Sequence, residues 1–406
     1  MLKRIDASEL KVGMAIHDLD CGWMEHPFIR SRFVLRDEAE IRKIRDAGIR
    51  GVVINCRLGL DVEDAPSLAQ ASAQTEAEVQ CVAAAAARVL PQRASLEEER
   101  GRATHVRKQA IELVRNVMQD ARLGRAVELD RVTPVVENVT ESILRNSGAL
   151  IGLLRIKTKD DYTFLHSVSV CALLVAFCRS RKLDDATTRE AGIGGLLHDT
   201  GKALVPDAIL NKQGRLTDEE FAIIRRHPRD GYDILKQSPE IGAIPLDITL
   251  HHHERMDGTG YPEQQKEGQI SELVQMSAIV DVYDAITSDR CYHKGMPAAQ
   301  ALRKIYEWSK FHFNPVLAQE FMRCVGIYPV GTLVLLESGR LGVVVEPHET
   351  SLLTPKVKVF FNTRSQSYIA PLTVDLARPL GYGGGDKIVS YELPEKWKVD
   401  PARFLS

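Results

Sequence analysis

Six of the twelve histidines in this 406-residue chain fall between positions 166 and 253, several of them beside carboxylates. Neutral imidazole and carboxylate are complementary ligands for iron, manganese or zinc, so the crowding raises metal-assisted chemistry at once. Each residue must be weighed against an ordinary role. His166 opens HSVSVCALLVAFC, where Val170, Leu173, Leu174 and Phe177 share its helical face; on spacing alone this is a core histidine. His198 and Asp199 follow the apolar AGIGGLL, and an adjacent His-Asp pair can hold one divalent ion. Lys202 lies one helical turn on, close enough to meet an anion held by that ion. His227 ends the helical run EEFAIIRRHP, where a histidine favoured by the helix dipole is an equal explanation. His251-His252-His253 is harder to explain as filler, and its internal position excludes a purification tag. The residues after it, Arg255 to Pro262, have the Gly, Asp and Pro content of a turn. Asp281 stands in the apolar stretch MSAIVDVYDAI, and a buried carboxylate is costly unless paired or bound to metal. Asp284, three residues on, reads as a helix-face partner.

The elements that would position these groups are helices. A 3.6-residue period begins near Ala103, with Ile111, Val114, Val117 and Met118 on one face, and helical texture continues to about Val325. Both ends differ. Residues 1–62 read as a small α+β or β-rich domain, with strands at 13–16, 31–35 and 51–55 and a short helix opened by Asp37-Glu38-Ala39-Glu40. Residues 63–102, rich in Ala, Gln, Ser and Glu, read as a partly helical linker, and 103–139 as a helical connector. The helical catalytic unit is expected over 140–327. From 328 to 406, runs at 331–336, 342–345 and 356–361 predict a small β-rich appendage. The fold class expected is therefore multi-domain: an all-α catalytic bundle between two small units containing β-structure.

Composition narrows the partners. Lys and Arg number 53 against 55 Asp and Glu, without the basic excess that tracks a nucleic-acid polymer or an acidic membrane. The seven cysteines are scattered, with no CxxC pair, as expected of a reducing cytoplasm. The sequence carries no signal-peptide pattern and no uninterrupted apolar run of membrane-spanning length. A soluble cytoplasmic protein is expected.

The order H…HD…H…HH…D resembles the HD superfamily of phosphohydrolases. LHDTGK…HHERMDGTGYP closely resembles its HD-GYP branch, with AILNKQGRLTDEE before His227 and DVYDAITSDRCY after the loop also matching. The region before residue 140 looks like the small N-terminal domain that often accompanies that branch. The resemblance implies a centre of two divalent ions, iron or manganese. His166, His198, Asp199 and Asp281 would hold one; Asp199 would bridge to the other, held also by His227, His252 and His253. A trinuclear subset of the family has a glutamate four residues before the first histidine; Tyr162 stands there, so two ions are expected. The implied reaction is cleavage of cyclic di-GMP to linear pGpG, and onward to GMP, by a hydroxide bridging the ions. Lys202 would steady the phosphoryl oxygens. Arg290 matches a phosphate-binding arginine, flanked by Tyr292; where the family has a further basic residue this chain has His293, with Lys294 as the substitute. Asp257, Gly260 and Tyr261 of the loop would complete the substrate surface. Alternatives are another cyclic dinucleotide such as 3′,3′-cGAMP, free nucleotides, or a non-catalytic module whose loop binds a GGDEF-domain partner.

Overall fold

The computed structural model describes residues 1–20, 28, 32–84, 93–154, 162–212, 214, 216–288, 295–348, 351–378 and 385–404. The N-terminal unit pairs β1 (Leu2–Asp6), β2 (Ala15–Leu19), β3 (Phe33–Val34) and, after helix α1 (Glu38–Asp46), β4 (Gly51–Asn55), into an antiparallel sheet of order β1-β4-β2-β3. Local chemistry sets α1. The Asp37 side chain accepts from the Glu40 amide, acids occupy the first turn, and Lys43 and Arg45 occupy the last. Ile41 and Ile44 then pack against Ile16, Val52 and Ile54 in the core of this unit.

A run of helices follows: α2 (Leu68–Ala84), α3 (Leu96–Arg122), α4 (Leu129–Leu154), α5 (Tyr162–Ser180), α6 (Asp185–Leu197), α7 (Asp207–Leu210), α8 (Asp218–Ile224), α9 (His227–Leu235), α10 (Ala243–His251), α11 (Glu272–Thr287), α12 (Ala298–Trp308) and α13 (Pro315–Val325). The stretches read as linker and connector are integral to this bundle. Val79 of α2, Ala103, Val106 and Val114 of α3, and Val132, Val136 and Val139 of α4 share one apolar core with α5 and α6. Helices α3 and α4 are also joined by a buried polar link, with Glu99 accepting from Arg145 Nε at 2.7 Å and Ser142 Oγ at 2.8 Å. Helix α4 is interrupted at Asn146, whose side chain donates to Ala94 O and accepts from the Ala149 amide, replacing lost backbone bonds.

Helix α5 is long and apolar enough to cross a membrane over Thr163–Ser180, although His166, Ser167 and Ser169 interrupt its apolar run. It is mostly buried in the bundle, where its apolar residues form core. The C-terminal unit is an antiparallel sheet, β8-β7-β6-β5-β9, built from β5 (Leu333–Leu336), β6 (Arg340–Glu346), β7 (Lys356–Asn362), β8 (Ser367–Asp375) and β9 (Ile388–Tyr391), followed by the short α14 (Pro394–Trp397). Val334, Val344, Val357 and Val359 join the helical core, while Leu341, Val343 and Phe360 build a second cluster with Trp397 and Phe404.

Candidate metal centre

Helix ends converge to build the site. His198 caps α6 and Asp199 follows it; His227 opens α9; His252 caps α10, with His253 next; His166 lies near the start of α5 and Asp281 in the middle of α11. Six of the seven are at most 5% exposed, so the ionisable groups gathered here must satisfy one another or a ligand.

Two groups of three side chains, His166 with His198 and Asp199, and His227 with His252 and His253, each bring their donor atoms within 4.8 Å of one another. The Asp199 carboxylate lies between them. Its Oδ2 is 3.4 Å from His198 Nε2 and 3.7 Å from His166 Nε2; its Oδ1 is 3.3 Å from His227 Nε2 and 3.9 Å from His252 Nε2. Asp281 also faces both groups, with Oδ1 2.9 Å from His166 Nε2 and Oδ2 3.9 Å from His253 Nδ1.

The hydrogen bonds around the rings turn acceptor atoms inward. Nδ1 of His198 donates to Gly195 O at 2.9 Å, Nδ1 of His227 to Ile224 O at 2.7 Å, and Nδ1 of His252 to Thr249 O at 3.0 Å. In a ring that holds its single proton on Nδ1, the Nε2 lone pair points at the centre. His227 Nε2 and His252 Nε2 consequently stand 3.3 Å apart as two acceptors, an arrangement that a cation would relieve. His198 Nε2, His253 Nε2 and Asp199 Oδ1 are buried and make no hydrogen bond among the described residues. All-nitrogen-and-oxygen donors, unsatisfied and aimed at common points, fit divalent ions.

The electrostatics agree. Burial alone would raise Asp199, but His198 and Lys202 hold its carboxyl well below the ordinary range; His166 does the same for Asp281. Burial, reinforced by neighbouring imidazoles, holds His252 and His253 well below the usual histidine value and also lowers His198. Ionised carboxylates beside neutral imidazoles are the protonation states that ligation requires.

His166 differs, because its Nδ1 meets Asp284 Oδ2 at 2.7 Å. Against burial, Asp281 and Asp284 raise its pKa. Asp284 is thus the residue that fixes the ring, a role its sequence position did not reveal. Asp284→Asn should lower metal affinity by about 10- to 100-fold while the fold persists. Metal titration monitored alongside circular dichroism checks this; unchanged affinity would leave Asp284 no orienting role.

Lys202 Nζ is 2.6 Å from Asp199 Oδ2, at the edge of the centre. The loop after α10 folds back over it. Glu254 accepts from the Glu263 and Gln265 amides, and the Tyr261 ring stacks on His253 with centroids 4.6 Å apart. Arg225 lies 4.6 Å from the Tyr261 ring and is a neighbour that spacing did not single out. Asp257 Oδ1 accepts from the Thr259 amide at 3.1 Å and hydroxyl at 2.6 Å, so this carboxylate supports the loop from within. Gly260 occupies the crossing of the loop with its own start. His251 turns away from the centre to Asp247 and Glu263. Arg290, Tyr292, His293 and Lys294, and the Tyr162 side chain, lie outside the described residues.

Residues 139–317 match the HD domain family, and residues 2–132 match the Domain of unknown function (DUF3391). The chain is 46% identical over 398 residues to the cyclic di-GMP phosphodiesterase PA4108 of Pseudomonas aeruginosa, covering 98% of this chain and 94% of that protein. It is 30% identical over 251 residues to a cyclic di-GMP phosphodiesterase of Thermotoga maritima, covering 61% and 68% of the two chains. Over 124 residues it is 35% identical to the 3′3′-cGAMP-specific phosphodiesterase 2 of Vibrio cholerae, covering 30% of this chain and 24% of the other. The buried histidine and aspartate clusters and the near full-length match lead to one assignment: the chain belongs to the HD-domain cyclic di-GMP phosphodiesterase family, in the form that carries DUF3391 at its N-terminus.

Proposed function

We propose that this protein hydrolyses cyclic di-GMP to linear pGpG, and further to GMP, at a centre of two divalent ions, iron or manganese. The observation that carries the metal chemistry is the Asp199 carboxylate, buried between two histidine groups with acceptor atoms turned towards it. His166, His198, Asp199 and Asp281 would hold one ion, and Asp199, His227, His252 and His253 the other. Ions bound there supply a nucleophile from water at neutral pH and positive charge for the phosphodiester.

The chain's own groups do the rest. Nδ1 bonds to carbonyls keep His198, His227 and His252 in the tautomer that presents Nε2 inward. Tyr261, stacked on His253, walls one side of the centre. The Lys202 ammonium, on the Asp199 edge, would face a phosphoryl oxygen as charge develops on it. Lys202→Ala should therefore keep its metals and lose about 100-fold in kcat. Elemental analysis beside steady-state kinetics tests this, and full turnover in the variant would leave Lys202 only its ion pair.

Substrate identity rests on the relative matched across nearly the whole chain, which is named for cyclic di-GMP. The shorter match to a 3′3′-cGAMP-specific enzyme makes that dinucleotide the second substrate to assay. Turnover of each by purified protein loaded with iron or manganese decides between them. Cleavage of neither would overturn the proposal.

A further inference from the structure

We infer that Arg50 of the N-terminal unit is a positioning residue for the reaction, holding the loop that carries Tyr261 against the metal centre. The turn after α1 sits on this loop. Gly48, at φ +72°, approaches Thr259 so closely that a Cβ there would fall 2.8 Å from the Thr259 Cβ and Oγ1. Two residues on, Arg50 Nε lies 3.7 Å from Asp257 Oδ2.

That oxygen is the remaining free end of a supporting network. Asp257 uses Oδ1 on Thr259, whereas Oδ2 is buried without a hydrogen bond among the described residues and has His312 Nδ1 at 3.5 Å besides Arg50. His312 adds a backbone contact, its carbonyl accepting from the Met256 amide at 3.1 Å. The loop is therefore held from two sides, by the α12–α13 connection and by the N-terminal unit. Ion pairs tie the rest of the seam between that unit and the helices. Arg4 meets Glu307 at 2.8 Å, and the buried Asp20 binds both Arg4 and Lys304. Cavities of about 520 Å³, lined by Arg4, Asp20, Arg303 and Lys304, and about 260 Å³, lined by Arg50, Thr75 and Phe311, interrupt its packing. A seam held by ion pairs across open space can shift, unlike a close-packed core. Movement of the N-terminal unit on it would reach Tyr261, and through it His253, by way of Arg50 and Asp257.

The kinetic arm of the test rests on the proposed substrate; the exchange arm does not. Arg50→Glu places a carboxylate against Asp257 and should raise KM for cyclic di-GMP about tenfold, with kcat within about twofold and metal content unchanged. Arg50→Lys, which keeps the charge, should stay near the parent, as should Arg378→Glu in the turn after β8. In the same Arg50→Glu protein, amide hydrogen exchange across residues 256–261 should accelerate while that of α9 and α11 holds. An unchanged loop exchange rate, or a KM equal to the parent's, overturns the inference. If the parent cleaves no cyclic dinucleotide, the proposed function fails and exchange alone decides whether Arg50 holds the loop.

Discussion

Asp199→Ala is expected to abolish turnover and to strip both ions from the centre together, the largest effect any single substitution here should have. The reason is geometric. One carboxylate reaches His198 and His166 with Oδ2 and His227 and His252 with Oδ1, so its loss would remove a proposed ligand from each half of the site. The His227 and His252 acceptors would remain 3.3 Å apart without the anion that helps to hold a cation between them. Lys202 would lose its 2.6 Å partner at the same time. A loss of about 10³-fold or more in kcat/KM, with metal content falling from two equivalents towards zero, is the expected result. Asp199→Asn separates charge from shape, because the amide keeps the volume but is a poor bridging ligand; it should lie near the alanine variant. Two ions retained in Asp199→Ala would refute the bridging role, whatever happens to activity.

How much of this centre is legible before folding depends on whether the signal is local. His198-Asp199 and the 251–253 triplet stand out because ionisable residues inside apolar helices are expensive, and that cost is visible in a linear string. Their division into two groups around Asp199 is not visible there; only the family resemblance implies it. His166 reads as core by spacing, since what sets it apart is Asp284, supplied by α11 from 118 positions away. Asp257 reads locally as a turn residue; its neighbours Arg50 and His312 are far from it in sequence. The same division of local from distant holds for the fold. Strand β4 is apolar, and the sequence marks it at its observed bounds, 51–55. Strand β1 carries no such mark because Lys3 takes a buried position, its side chain donating to Val62 O and Glu63 O and so breaking the apolar alternation. Strand β8 carries none because most of its residues are exposed, leaving no buried face. Helices α3 and α4 were legible as helices; that they belong to the catalytic core follows only from packing.

The second large effect is expected at Gly260, where the limit is space. A Cβ there would lie 2.5 Å from Arg255 N, Glu254 Cα and His253 O, all main-chain positions, so no side-chain rotation can make room. The same crossing is closed by the Tyr261 amide donating to His253 O at 3.2 Å. Gly260→Ala must therefore part the loop from its own start, drawing Tyr261 off the His253 ring on which it stacks. Overpacking of this kind costs about 1–3 kcal/mol in stability. The catalytic cost should be greater, because His253 belongs to one of the two histidine groups that could hold an ion: kcat/KM should fall by about 100-fold, since displacements near 1 Å carry penalties of that order. Gly258→Ala is the informative comparison. Gly258 has φ +78°, so alanine there meets backbone strain of about 1–2 kcal/mol, but its Cβ would face the flexible Lys266 side chain at 2.9 Å. That variant should lose comparable stability with less than about a tenfold loss in kcat/KM, because the His253–Tyr261 stack is left in place. Thermal melts and kinetics on the pair distinguish a loop that merely stabilises the fold from one that keeps Tyr261 at the centre. Equal kinetic losses in the two variants would show that the crossing at Gly260 has no special part in catalysis.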